Sequence, residues 1–231
     1  MPTASHTPST PLLAAAGVAI VLALAVFVSM DLTDAFDRSI IEAVRSDALH
    51  DLFGPLRFIT ELGSTGAVTV VAVVAFVFGV AIGPWRHGLA GALTILLASM
   101  ANGGLKLLIA RARPELLEPV VVEHGFSFPS GHAALGMVAY GVLAVLVGRS
   151  RLPARPRAAI ILALGVLVGL IGISRIWLGV HYPTDVLAGW TAGAVIVLVY
   201  AALTRRVSPE PAAVAVDADP AAQRSVPPAA G

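Results

Sequence analysis

The sequence predicts an all-α membrane protein, a bundle of six transmembrane helices, and three observations predict it. Of 231 residues, 57% are hydrophobic and 13% charged, about half the roughly 25% charged share of soluble domains. The mean hydropathy is +0.87, which no soluble interior of this size accommodates. The apolar residues also fall into six uninterrupted runs, at 12–30, 65–82, 89–110, 133–147, 158–173 and 186–203. Each run, with its flanks, is long enough to cross hydrocarbon, which takes about 20 helical residues. A net charge of +1 leaves no dense basic surface to neutralise phosphodiesters, so nucleic acid is not an expected partner. Zero cysteines remove disulfides, thiolate metal sites and cysteine nucleophiles.

The first run follows a Pro/Ser/Thr-rich leader, residues 1–11, with no Lys or Arg. A secretory signal would carry a positive n-region there, so this run reads as a retained helix. The six-helix domain then covers 12–206. The remaining 207–231, rich in Pro and Ala without an apolar period, reads as a disordered tail. No internal repeat stands out. Between the first two spans, 31–64 carries Phe36, Ile40, Ile41 and Val44 against Asp37, Arg38, Glu42 and Arg45. That pattern predicts a helix lying in the membrane interface, polar face outward, either as a lid on the bundle or as a route for lipid entry.

Six spans put both termini on one side. Seven Lys or Arg residues flank the spans on each side, so the raw tally is even. Four arginines crowd the short loop 149–157, and this density places the termini in the cytoplasm.

Three segments carry chemistry. Lys106, the sole lysine, sits inside an apolar run, where an ionised amine requires a partner or water. Arg113 follows seven residues on, nearly two full turns, so both cations share a face if the helix persists to Pro114. They are either snorkelling anchors or an anion site. Arg111 lies about 140° round from Lys106 and reads as an anchor. The second segment, 126–136, opens the fourth span. Ser130 is a natural N-cap, and Gly131 lets an anion approach the free N–H groups of the first turn, with His132 beside them. In the third segment, 174–190, His181 and Asp185 lie one helical turn apart. The carboxylate can accept one ring N–H and leave the other nitrogen as an oriented nucleophile or base. Pro183 suits the first turn of the sixth span. Arg175 either snorkels or supplies a third cation. Trp177, Tyr182 and Trp190 read as an interfacial aromatic belt. The third span ends, the fourth begins, the fifth ends and the sixth begins on one face of the membrane, so the three segments can converge on one phosphoryl-binding pocket.

Lys106 to Pro114 fits K-x6-R-P, Pro129 to His132 reads P-S-G-H, and Ser174 to Asp185 fits S-R-x5-H-x3-D. The three together resemble the signature of the type 2 phosphatidic acid phosphatase (lipid phosphate phosphatase) superfamily, with all eleven specified residues matched. The resemblance spans about 31–205. It implies a metal-independent, cofactor-free phosphatase of membrane lipid phosphates or polyprenyl pyrophosphates, acting on the extracytoplasmic side. It implies His181 as the nucleophile that becomes phosphohistidine, Asp185 as its orienting partner, and His132 as the acid that protonates the leaving alkoxide. Lys106, Arg113, Arg175, Ser130 and the Gly131 N–H would then hold the phosphoryl oxygens. A phosphotransferase using the same intermediate and a non-catalytic scaffold or transporter subunit are the rival readings. Vanadium-dependent haloperoxidases share the signature but are soluble, which this composition is not. The segment between Pro114 and Pro129 is short and holds no headgroup-reading domain; His124 reads as a solvent-facing loop residue.

Overall fold

The computed structural model describes residues 9–44, 53–115 and 123–205. The tail 207–231, most of the leader 1–11, and Arg45 lie outside the described residues. Eight helices are present among those described: α1 (Thr10–Ser29), α2 (Asp34–Val44), α3 (Phe53–Glu61), α4 (Thr65–Ile82), α5 (Trp85–Ile109), α6 (Gly131–Arg149), α7 (Ala154–Trp177) and α8 (Pro183–Arg205). Six of them, all but α2 and α3, are long and apolar enough to span a membrane, and they coincide with the six apolar runs of the sequence.

These six are apolar on every side because their outward neighbours are lipid tails. Leu22, Val70, Leu97, Leu108, Leu162 and Leu203 all point outward. Inside, small residues replace large ones. The centre of the bundle is α6, packed against α4, α5, α7 and α8, with Ala133, Ala139 and Val142 wholly buried. Lipid offers little hydrophobic driving force between helices, so close backbone approach and shape do the work. Gly189 and Gly193, one turn apart on α8, lie against the main chain of α6. A Cβ on Gly189 would fall 2.8 Å from the Ser130 carbonyl oxygen, and one on Gly193 would fall 2.8 Å from that of Ala134. The Ser130 N–H in turn donates to the Asp185 carbonyl at 3.0 Å. The starts of α6 and α8 are thereby pinned together by main chain alone.

Two sequence readings are corrected here. Along α2, Thr33, Asp37 and Ile41 form the buried face, and Phe36 is 58% exposed. Asp37, expected on the polar outer face, is wholly inaccessible because Thr184 and Arg111 supply it with donors. The helix packs on α7 and α8, and this carboxylate ties it to the start of α8. The aromatic belt also dissolves. Trp177 and Tyr182 are buried, and Trp190 lies flat on Gly172, donating its N–H to the Val168 carbonyl at 3.2 Å.

Candidate active site

The end of α5, the start of α6, the end of α7 and the start of α8 meet at one end of the bundle, as the topology requires. The three sequence segments therefore share one site, but their local geometry departs from a simple helical reading. The helix carrying Lys106 stops at Ile109 and not at Pro114; Ala110 is left-handed (φ 50°, ψ 31°) and its N–H caps the Lys106 carbonyl. The irregular stretch that follows still returns Arg113 to the site, so the two cations converge without sharing a helix face.

Lys106 Nζ donates to the carbonyls of Phe126 at 2.6 Å and Ser127 at 3.2 Å, holding the strand-like approach to α6. Arg113 reaches the carbonyls of Gly125 (3.0 Å), Val180 (2.8 Å) and His124 (3.2 Å). Its Nη1 also lies 3.3 Å from His181 Nε2. Arg175 is 1% exposed. It donates to Thr60 Oγ1 of α3 at 2.9 Å and to Glu123, and its Nε has no partner among the described residues. Ser130 has the extended backbone of an N-cap, yet its hydroxyl makes no cap bond. That hydroxyl is buried and unpartnered among the described residues. A helix N-terminus with a free buried hydroxyl and an orphan guanidinium N–H is a set of donors waiting for an acceptor.

His181 lies in the turn between α7 and α8, 2% exposed. Burial depresses its pKa from 6.5 to about 4; Asp185 opposes the shift, and Arg175 and Arg113 reinforce it. Its Nδ1 faces Asp185 Oδ2 at 3.4 Å and Ser127 Oγ at 3.4 Å. A guanidinium donates and never accepts, so Arg113 against Nε2 requires a lone pair there, and the proton sits on Nδ1, towards Asp185. The Asp185 carboxylate is wholly buried and also accepts from the Tyr182 N–H at 2.9 Å and from Ser127 Oγ. His132 opens α6 against the α3–α4 turn, where a Cβ on Gly63 would lie 3.2 Å from its Cδ2.

Sequence reasoning missed four participants. Glu123 pairs with Arg175 and lies 3.8 Å from Arg113. Burial alone would raise this carboxyl, but the Arg175 hydrogen bond and charge, helped by His132 and Arg113, hold it below the usual range. Ser127 and Thr60 gave no signal beyond being polar. Arg111, read as an anchor, is instead 8% exposed and donates to Asp185 Oδ1 at 2.8 Å, with its guanidinium 4.0 Å from the Tyr182 ring centre. His124 is exposed, as expected.

Below Pro129 a narrow cavity of about 70 Å³ opens between α5, α6 and α8 beside Asn102 and Leu105. It shares Ala98, Ala101 and Ile196 with an apolar groove of about 370 Å³ that extends to Leu203.

Helices, site and motifs together define a membrane-embedded PAP2 protein. Residues 87–208 match the PAP2 superfamily, and the chain belongs to that superfamily. It is similar to phosphatidylglycerophosphatase B of Bacillus subtilis, 34% identical over 142 residues, covering 60% of this chain and 68% of that one. It is also similar to undecaprenyl-diphosphatase of Sulfolobus acidocaldarius, 26% identical over 166 residues and 69% and 74% of the two chains. Among solved structures, the transmembrane PAP2-type phosphatidylglycerolphosphate phosphatase of Bacillus subtilis superposes with a TM-score of 0.78 at 28% identity. That match covers 85% of this chain and 98% of that one.

Proposed function

We propose that this protein is a lipid phosphate phosphatase that cleaves a phosphomonoester or pyrophosphate from a phosphatidate-like or polyprenyl lipid through a phosphohistidine. The observation that carries the reading is His181: buried, with Nδ1 3.4 Å from Asp185 and Nε2 3.3 Å from the Arg113 guanidinium. Nε2 attacks phosphorus, an N–P bond forms, and the bond to the leaving oxygen breaks. His132 gives its proton to that oxygen. Water, deprotonated by His132, then attacks phosphorus and releases inorganic phosphate and free His181. Lys106, Arg113, Arg175, Ser130 and the Gly131 N–H bear the charge on the three non-bridging oxygens. Since these side chains supply the positive charge that a metal ion would, turnover persists in EDTA, and vanadate inhibits as a five-coordinate mimic.

The narrow cavity beneath Pro129 and the apolar groove it shares residues with support a lipid substrate, because together they offer an acyl or prenyl chain an apolar surface that reaches the approach to α6. The names of the relatives make phosphatidylglycerophosphate and undecaprenyl pyrophosphate the first substrates to test. Phosphate release from each in detergent micelles, with radiolabelled phosphoenzyme trapped at acidic quench and mapped to His181, tests the reading. Labelled phosphoenzyme in His181→Ala, or turnover restored after EDTA only by a divalent metal, overturns it.

The site faces the extracytoplasmic side and the termini the cytoplasm. The arginine-dense loop 149–157 supports this orientation. In intact cells a membrane-impermeant thiol reagent labels Thr65→Cys, exposed at the site end of α4, and not Ala154→Cys, exposed at the other end. The opposite pattern reverses the orientation.

A further inference from the structure

Arg111 and Arg113 are two residues apart on the irregular stretch after α5, and they reach the two members of one pair: Arg113 touches His181, and Arg111 touches Asp185. Only the first belongs to the three-part motif. Both terminal nitrogens of Arg111 are committed. Nη1 donates to Asp185 Oδ1 (2.8 Å) and Thr184 Oγ1 (2.9 Å). Nη2 donates to Asp37 Oδ2 (2.8 Å), Asp34 Oδ1 (3.2 Å) and Thr33 Oγ1 (3.2 Å). Asp37, on α2, also accepts from the Thr184 N–H at 3.1 Å and the Thr184 hydroxyl at 2.6 Å. One guanidinium thus lies between two wholly buried carboxylates, and Thr184, next to Asp185 in the chain, is bonded to both the guanidinium and Asp37.

We propose that Arg111, held by Asp37 of the interfacial helix, is a positioning residue for the phosphatase reaction: it fixes the Asp185 carboxylate with Oδ2 turned to His181 and thereby sets the orientation of the attacking imidazole. The inference rests on the catalytic reading of His181 given above. Three features support it beyond simple burial of an arginine. Asp185 has only two oxygens, and Arg111 takes one while Tyr182 N–H, Ser127 and His181 share the other, so rotation of the carboxylate costs the Arg111 bond. The fork of a guanidinium matches this two-sided demand, whereas a single ammonium reaches one side only. A carboxylate enclosed with a neutral imidazole also requires a cation elsewhere to remain ionised, and Arg111 is the cation bonded to it. The interfacial helix accordingly belongs to the catalytic framework through Asp37, since loss of that contact releases the far side of the fork.

The test compares full-length wild type, Arg111→Met, Arg111→Lys and Asp37→Asn in detergent micelles, with His181→Ala as reference. Substrate is the lipid phosphate that wild type turns over best, active sites are counted by phosphoenzyme trapping, and kcat, KM, thermal midpoint and pH profile are recorded. Positioning residues that orient a reacting group from behind typically cost about 10–100-fold in activity. Arg111→Met should lose kcat per trapped site by that factor with KM little changed, Arg111→Lys should recover only part, and Asp37→Asn should lose less in the same direction. Removing the cation leaves Asp185 uncompensated beside His181, which otherwise faces Ser127, Arg113 and Arg175, so the imidazolium gains stability. The acid limb of kcat/KM should therefore move to higher pH in Arg111→Met. Asp37→Asn keeps the cation and removes an anion, so its acid limb should not rise, and its readout is the loss of kcat per trapped site with KM little changed. Wild-type kcat per site or an unmoved acid limb in Arg111→Met, or, if that variant does not fold, wild-type kcat per site in Asp37→Asn, overturns the inference and leaves Arg111 a structural ion pair. Turnover in His181→Ala equal to wild type instead overturns the catalytic reading, whatever Arg111 does.

Discussion

On the side of Asp185 that faces α2, both terminal nitrogens of Arg111 and both oxygens of Asp37 are paired with side chains or with the Thr184 N–H. On the side that faces His132, the partners are different in kind. Lys106 and Arg113 lean on backbone carbonyls, Arg175 shares the Glu123 carboxylate with Arg113, and the Ser130 hydroxyl has no partner among the described residues. A closed network costs several kcal/mol to break, because each buried group is left without its counterpart. Donors resting on weakly held acceptors exchange them for a better one at small cost. The contrast separates a closed rear frame from a front whose donors are open to the anion proposed above.

The largest effect expected from breaking the front is the loss of its proposed nucleophile. His181→Ala should reduce kcat by on the order of 10⁴ or more, as loss of a reacting group that works with others usually does, with the helical circular dichroism unchanged. A next, smaller loss distinguishes charge from anchoring. Lys106→Met should lower kcat/KM by on the order of 10², and Lys106→Arg should not restore it, because a planar fork does not fit where a compact ammonium sits between two carbonyls. Near-wild-type activity in Lys106→Met would reduce the sole lysine to a clamp on the backbone at Phe126 and Ser127.

Acid provides a milder perturbation. His181 is neutral above its depressed pKa of about 4, so the acid limb of kcat/KM in the wild type should break well below 6.5, the value for an unperturbed imidazole. The same shift ties into stability with a definite sign. Between pH 4 and 6.5 the unfolded chain binds a proton at this position that the native chain does not, so native stability is full above about 6.5 and falls as pH drops towards 4. A thermal midpoint that rises on acidification through that window would contradict it. The smallest effect concerns Glu123, which pairs with two arginines and which, on the proposed reading, an incoming phosphate displaces. Glu123→Gln should lower KM several-fold and strengthen product inhibition by inorganic phosphate, while kcat changes little; a raised KM would make Glu123 part of the substrate site instead.

Much of the front was legible in the sequence because it is written as spaced residue types on helix ends. The structure places Lys106, Arg113, Ser130, His132, Arg175, His181 and Asp185 at one end of the bundle, and its six long apolar helices coincide with the six runs. The rear frame was not legible, for reasons that can be named. Helical geometry at 100° per residue pointed Arg111 away, but Ala110 is left-handed and the helix has already ended. Asp37 was assigned to water by its charge, whereas burial there depends on Thr184 and Arg111, 147 and 74 positions distant. Helical periodicity reports which face is apolar; it carries no record of a carboxylate whose partners arrive from elsewhere in the chain. Trp190 failed similarly, since its N–H is satisfied by a carbonyl of α7 and its ring by the space above Gly172.

The contact between Gly189 and the start of α6 has a metrological consequence. His132 stands in the first turn of one helix and His181 just before the other, and Gly189 of the second helix meets the first at the Ser130 carbonyl, the Ala134 nitrogen and the Ala133 methyl. If the two histidines act on one phosphorus as proposed, the gap between them depends on this close approach, a dimension that side-chain rotamers there do not alter. A single added methyl group at Gly189 would act as a shim, spreading the histidines while leaving every chemically active side chain itself unchanged.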